Sequence, residues 1–261
     1  MSDFFRVLTV LCGTSLLAQG AGAGMRATDE FESGETRPVT LALLPAHAEL
    51  LKQRIVSTQS QVEESAMLAE HLAAAVAGEF EDRGYVLKVL TPEMINSDPE
   101  LQSLVVDADR RYQEVLSQLQ RKLNKDIEER EYNAGDEMRL LAQRLGVDGI
   151  AFTRIEIAAA GKGRQAMAWT VGIGSTGSST MMSVSVIDGR TADIEAYFVP
   201  PILRRGRAFA GYEEFIENPA ESMQKITAAT LKELPDADPA LRARFAEDDE
   251  DLFSELDALL E

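Results

Sequence analysis

Met138-Arg-Leu-Leu-Ala-Gln-Arg-Leu-Gly-Val-Asp-Gly-Ile-Ala-Phe-Thr-Arg-Ile-Glu-Ile157 is the stretch around which the rest of the chain is read. Met138, Leu141 and Leu145 recur at helical spacing, so its first half predicts an amphipathic helix. Gly146 follows as the residue that takes a left-handed cap without a Cβ penalty. The second half alternates Ile150, Phe152, Arg154 and Glu156 against Ala151, Thr153, Ile155 and Ile157, the period of a strand. A helix that stops at glycine and runs straight into a strand is an αβ unit, which predicts a sheet with helices packed on it.

Outward from that unit, Val39-Thr-Leu-Ala-Leu-Leu44, closed by Pro45, predicts a short buried strand. Leu68, Leu72, Val76 and Phe80 form one stripe of a helix over 62–83 that ends at Gly84. Tyr85-Val-Leu-Lys-Val-Leu90 predicts a second strand, and Thr91-Pro92 and Ser97-Asp-Pro99 are helix starts. From 100 to 131 the apolar residues Leu101, Leu104, Ala108, Tyr112, Val115, Leu119, Leu123 and Ile127 make a narrow stripe on a charged helix. Such a stripe suits a helix lying flat on the sheet or a projecting, coiled-coil-like one. Past residue 149, strands over 149–158, 165–173, 181–187 and 192–199 with short connections predict an antiparallel meander, Asp188-Gly189 being a tight two-residue turn. Asn218-Pro219 opens a last helix with Met223, Ile226, Thr230 and Leu231 on its inner face.

The expected class is therefore α/β: a mixed, mainly antiparallel sheet with helices packed on it, one long charged helix and an acidic C-terminal tail. Residues 1–23 are expected to be a signal peptide: an apolar run too short to cross a membrane leads to Ala18-Gln-Gly-Ala-Gly-Ala-Gly24, with cleavage after Ala23. Residues 24–37 are polar and acidic and predict a linker, 38–234 form the α/β domain, and 235–261 form the tail. The one cysteine, Cys12, lies within the signal segment as a buried side chain or a lipidation site, and Thr9-Val-Leu before it lacks the small residue that normally precedes a lipidated cysteine. A mature chain without cysteine suits an oxidising envelope compartment, and the expected location is the periplasm with peripheral association to the outer membrane.

A formal charge of -18 opposes nucleic-acid binding, which needs a dense Lys/Arg face. Arg204, Arg205 and Arg207 make the best basic patch, a solvated or partner-facing one. Gly172-Ile-Gly-Ser-Thr-Gly177 carries the letters of a dinucleotide fingerprint but is followed by strand-like residues. No helix N-terminus would meet a pyrophosphate there, so Gly172, Gly174 and Gly177 are expected to form a hairpin tip that contacts a partner, and no cofactor is expected. In the tail, Leu252, Phe253 and Leu256 recur at helical spacing among ten acidic residues, a pattern that can fold into a partner's groove. The only histidines, His47 and His71, lack metal-ligand spacing. His71 lies off its helix stripe. His47, in Pro45-Ala-His-Ala-Glu49, follows the first strand, where open α/β sheets bind ligands.

The order of elements, with Leu-Gly-Val-Asp-Gly-Ile at 145–150 before a central strand and Val-Ile-Asp-Gly-Arg-Thr at 186–191 in a late hairpin, resembles a broad group of bacterial envelope proteins. The group includes curli-secretion-channel lipoproteins, penicillin-binding-protein activator lipoproteins and related lipoproteins. The resemblance covers about 38–234, rests on turns and core positions, and carries no catalytic residue across. It implies a non-enzymatic, periplasm-facing domain that docks on an envelope protein or self-assembles. Two alternatives stand beside it: a periplasmic small-ligand-binding protein or hydrolase with a site at 45–49, and a ring-forming secretion component that inserts the hairpin 161–180.

Overall fold

The computed structural model describes residues 24–53, 58–121, 132–160, 178–200 and 212–237. Within them eight strands form one mixed sheet: β1 (Gly24–Ala27), β2 (Thr40–Leu43), β3 (His47–Gln53), β4 (Thr58–Ser60), β5 (Val86–Val89), β6 (Gly149–Ala160), β7 (Ser178–Asp188) and β8 (Ile194–Val199). The order is β1-β8-β7-β6-β2-β5, with β3 also on β6 and β4 on β3. Four of the seven pairings are antiparallel, so the mixed, mainly antiparallel α/β class expected from the sequence is the one found.

The alternation in β6 sorts its side chains onto two covered faces. On one face Ala151, Ile155 and Ile157 join Leu41, Leu43, Val184, Val186 and Phe198. That face is covered by α1 (Asp29–Ser33), α2 (Val62–Asp82), α6 (Tyr212–Glu217) and α7 (Pro219–Thr230), through Phe31, Leu72, Phe215 and Ile226 among others. On the other face Ile150 and Phe152 join Ala42, Ile187, Ile194 and Tyr197. There α4 (Pro99–Arg121) and α5 (Asp136–Leu145) close the core, with α3 (Pro92–Ser97) at its rim. The result is a three-layer α/β/α sandwich.

Local signals act as their chemistry dictates. Gly84 and Gly146 take positive φ at the ends of α2 and α5, and the Gly146 N–H donates back into the last turn of α5. Thr91 caps α3 by accepting from Met94 N, and Asp98 caps α4 by accepting from the amides of Glu100 and Leu101. Over its described length α4 lies flat on the sheet, with Leu101, Ala108, Tyr112, Val115 and Leu119 buried. Residues 122–131 lie outside the described residues.

Four expectations are corrected. Residues 24–37 are not a linker: β1 pairs with β8, and α1 buries Phe31 completely beneath the Arg37 guanidinium, which donates to the carbonyls of Phe31, Glu32 and Asp236. A polar composition hid one deeply buried aromatic. Secondly, the chain does not leave the sheet at Pro45. Leu43 pairs with Ala151 and His47 with Arg154, so four residues of one strand span three of the other. Pro45, lacking an N–H, occupies that irregularity, and β3 carries on along β6 before turning into β4.

Thirdly, β6 pairs directly with β7, from Gly149↔Asp188 to Ala159↔Ser178, where the expected meander has 149–158 followed by 165–173; residues 165–173 are outside the described residues. Lastly, the β7–β8 connection is wider than a two-residue turn. Asp188 N donates to Asp193 O, the Asp188 carboxylate accepts from the amides of Arg190 and Thr191, and Ala192 takes φ 67. The aspartate side chain replaces a turn's backbone bond.

Candidate functional site

The face beneath α4 changes character along β6. At the Gly149 end it is apolar. Ser185 on β7 stands level with Phe152, and past them the side chains on this face become Arg154 and Glu156 on β6 and Ser183 on β7. Parallel pairing sets His47 beside Arg154 and Glu49 beside Glu156. Two rows result across the strands, His47–Arg154–Ser183 and Glu49–Glu156–Met181. Neighbouring strands lie about 4.8 Å apart.

Helix α4 roofs the shelf. Tyr112 stacks on Phe152 with ring centroids 4.2 Å apart, and its hydroxyl lies 2.7 Å from Ser185 Oγ. Burial pushes the Tyr112 hydroxyl well above the ordinary phenol range, against the opposing effect of the Ser185 hydrogen bond. One residue on, Gln113 Oε1 accepts from Arg154 Nη1 at 2.9 Å. Between helix and sheet a cleft of about 180 Å³ is lined by Gln113, Leu116, Ser117, Arg154, Glu156, Met181 and Ser183. His47 is exposed, on a strand rather than in a loop after one, and it borders the shelf instead of standing alone at 45–49.

A larger, open cleft of about 540 Å³ lies at the other end of the sheet, between α5 and the β7–β8 turn. Its cations are engaged: Arg139 pairs with Asp136, and Arg190 pairs with Asp188 at 3.1 Å. The two Asp-Gly phrases of the sequence meet here. The Asp148 carboxylate accepts from Thr40 N and Oγ1, and Gly189 N donates to Asp148 O at 2.7 Å. A Cβ on Gly149 would stand 2.8 Å from Ile187 O, and one on Gly189 2.7 Å from both Ala142 Cβ and Asp148 O. Both phrases are architectural and fasten β2, β6 and the late turn together.

A third feature is β5, which among the described residues is an edge of the sheet. Val86 N donates to Val39 O, just before β2, and Leu90 N to Leu43 O, so the intervening Leu87 and Val89 turn their N–H and C=O groups outward. Val86, Val89 and Met94 are 43%, 38% and 41% exposed around that edge. Lys88, which would ordinarily guard an edge, instead donates to Leu145 O at the end of α5.

Cys12, the hairpin-tip glycines Gly172, Gly174 and Gly177, and Leu252, Phe253 and Leu256 of the tail all lie outside the described residues. The root of the tail is described: Ala237 N donates to Arg83 O, and Tyr85 OH to Pro235 O. Among the described residues no three His, Cys, Asp or Glu side chains stand close enough to hold a metal ion, and no helix is long and apolar enough to cross a membrane. The shelf was half visible in the sequence, since Arg154 and Glu156 occupy one face of the β6 alternation; that α4 would roof them, and β3 extend them, was not. No protein-family model matches the chain, and no curated protein matches it.

Proposed function

We propose that this is an exported, non-enzymatic accessory protein that docks on another envelope protein. The observation that supports the docking is the β5 edge, where two outward N–H and two outward C=O groups lie among exposed Val86, Val89 and Met94. An extended partner segment that adds a strand there gains main-chain hydrogen bonds, and its side chains, alternating between the two faces of the sheet, meet Val86 on one face and Val89 on the other. The export half rests on the N-terminal sequence and on the resemblance to envelope lipoproteins.

A photo-crosslinking residue placed at Val86 or Val89 in the native host tests this. One discrete foreign adduct is expected from those two positions and none from Val106, an exposed residue on α4. The same mass spectra read the N-terminus, expected at Gly24. Equal crosslinking from all three positions removes the edge as the contact, and an uncleaved chain in the cytosol removes the export.

A further inference from the structure

We infer that the cleft beneath α4 binds a small aliphatic α-amino acid, its carboxylate on Arg154 and its ammonium on Glu156. This site is separate from the β5 edge and does not depend on the docking proposal.

Two features of the shelf conflict with an otherwise consistent fold. Arg154 is half-buried, and among the described residues one of its five N–H donors is engaged, by the neutral Gln113 amide; it makes no ion pair with any described residue. Glu156 shares its face two residues on, about 7 Å along the strand, yet does not pair with it either. Beside Glu156 stands Glu49, a like charge directly across the strand pair, an arrangement that costs stability unless a cation comes between. Departures of this kind concentrate at functional sites.

One ligand type resolves both. A carboxylate accepts from the remaining donors of the Arg154 fork and from the Ser183 hydroxyl, the Ser117 hydroxyl being engaged by Glu114 O. An ammonium group placed toward Glu156 and Glu49 neutralises their repulsion. Leu116 and Met181, the apolar walls, flank the space left for an aliphatic side chain. At about 180 Å³ the cleft is below the ~300–1,000 Å³ of sites for drug-sized molecules, which selects a compact metabolite. A simple anion would leave the two glutamates unanswered, and a simple amine would leave Arg154 unanswered.

Isothermal titration of the mature chain with L-leucine, 4-methylpentanoate and 3-methylbutylamine tests the assignment without any mutation. L-leucine is expected to bind, and each analogue, lacking one charged group, to bind at least about tenfold more weakly. Arg154→Gln should lower L-leucine affinity by about tenfold or more while leaving 3-methylbutylamine unchanged. Glu156→Gln should do the reverse, sparing 4-methylpentanoate. Absence of binding at about 10 mM L-leucine overturns the proposal. So does equal affinity for the three compounds, a result that holds whether or not either variant folds.

Discussion

Tyr112 and Ser185 bring their hydroxyls to 2.7 Å in a space where neither reaches water, Tyr112 being 1% and Ser185 0% exposed. Together with the Tyr112–Phe152 stack and the Arg154–Gln113 bond, this contact holds α4 over the sheet beside the polar shelf. Removing either hydroxyl strands the other, at a cost of about 1–3 kcal/mol. Urea denaturation is expected to show such a loss for Tyr112→Phe and for Ser185→Ala. The double variant should lose clearly less than the sum, because both polar groups are then gone. Additive losses would mean that the two hydroxyls do not depend on each other.

The glycines of the two Asp-Gly phrases differ in kind from a glycine on a helix surface. At Gly189 a Cβ collides with Ala142 Cβ and the Asp148 carbonyl, and backbone cannot swing aside as a side chain does. Gly189→Ala is expected to destabilise by about 1–3 kcal/mol. Gly78, in the middle of α2, has nothing within 4 Å of its missing Cβ. Gly78→Ala is expected to stabilise by about 0.5–1 kcal/mol through helix propensity alone. Thermal melting of the two variants should move in opposite directions.

The elements most legible in the sequence are those in which one residue decides the geometry. The α2 stripe of Leu68, Leu72, Val76 and Phe80 is the stripe that is buried, and Gly84, Gly146 and Thr91 cap where their chemistry says. The β6 alternation separates the two cores residue by residue. What stayed hidden depends on distant partners. Nothing local in Met25-Arg-Ala announces a strand; β8 supplies the pairing. Pro45 reads as an end because it forfeits an N–H, yet the ladder on β6 resumes two residues later. Arg154 and Glu156 look like the solvent side of a strand until α4, more than thirty residues upstream, is laid over them.

Arg83 joins the last helix and the root of the acidic tail to the body of the fold. Its guanidinium donates to Leu231 O, Leu234 O and Glu79 O and pairs with Glu79 Oε2. Arg83→Ala leaves those carbonyls without a charged donor, and a loss of about 2–3 kcal/mol is expected. Arg83→Lys should recover only part of it, because a single ammonium cannot reproduce the fork across two helix ends. Hydrogen exchange at Leu231 and Leu234 is the direct reading: protection should fall there first, ahead of β6. Unchanged protection with an ordinary global loss would assign Arg83 to packing alone.

Glu195 gives the fold a pH dependence of unusual sign. It is 6% exposed, and its Oε2 accepts from Thr28 Oγ1 at 2.6 Å and Thr36 Oγ1 at 2.8 Å. Desolvation raises its pKa above 4.5 despite those two bonds, and the nearby charges of Asp188 and Asp193 push the same way. The folded state therefore holds this proton more tightly than the unfolded one. Its contribution to stability is fully present below the ordinary glutamate pKa and is lost as pH rises through the raised folded value. Glu195→Gln keeps one oxygen to accept from both threonines and removes the desolvated charge. At neutral pH it is expected to be more stable than the parent by about 1 kcal/mol, the size of an ordinary single-site effect. The difference between the two proteins, measured by urea denaturation from pH 7 downward, should close as pH approaches 4.5. Subtracting the parent cancels the other carboxylates, so a gap that stays constant with pH would place the effect in packing and not in the proton.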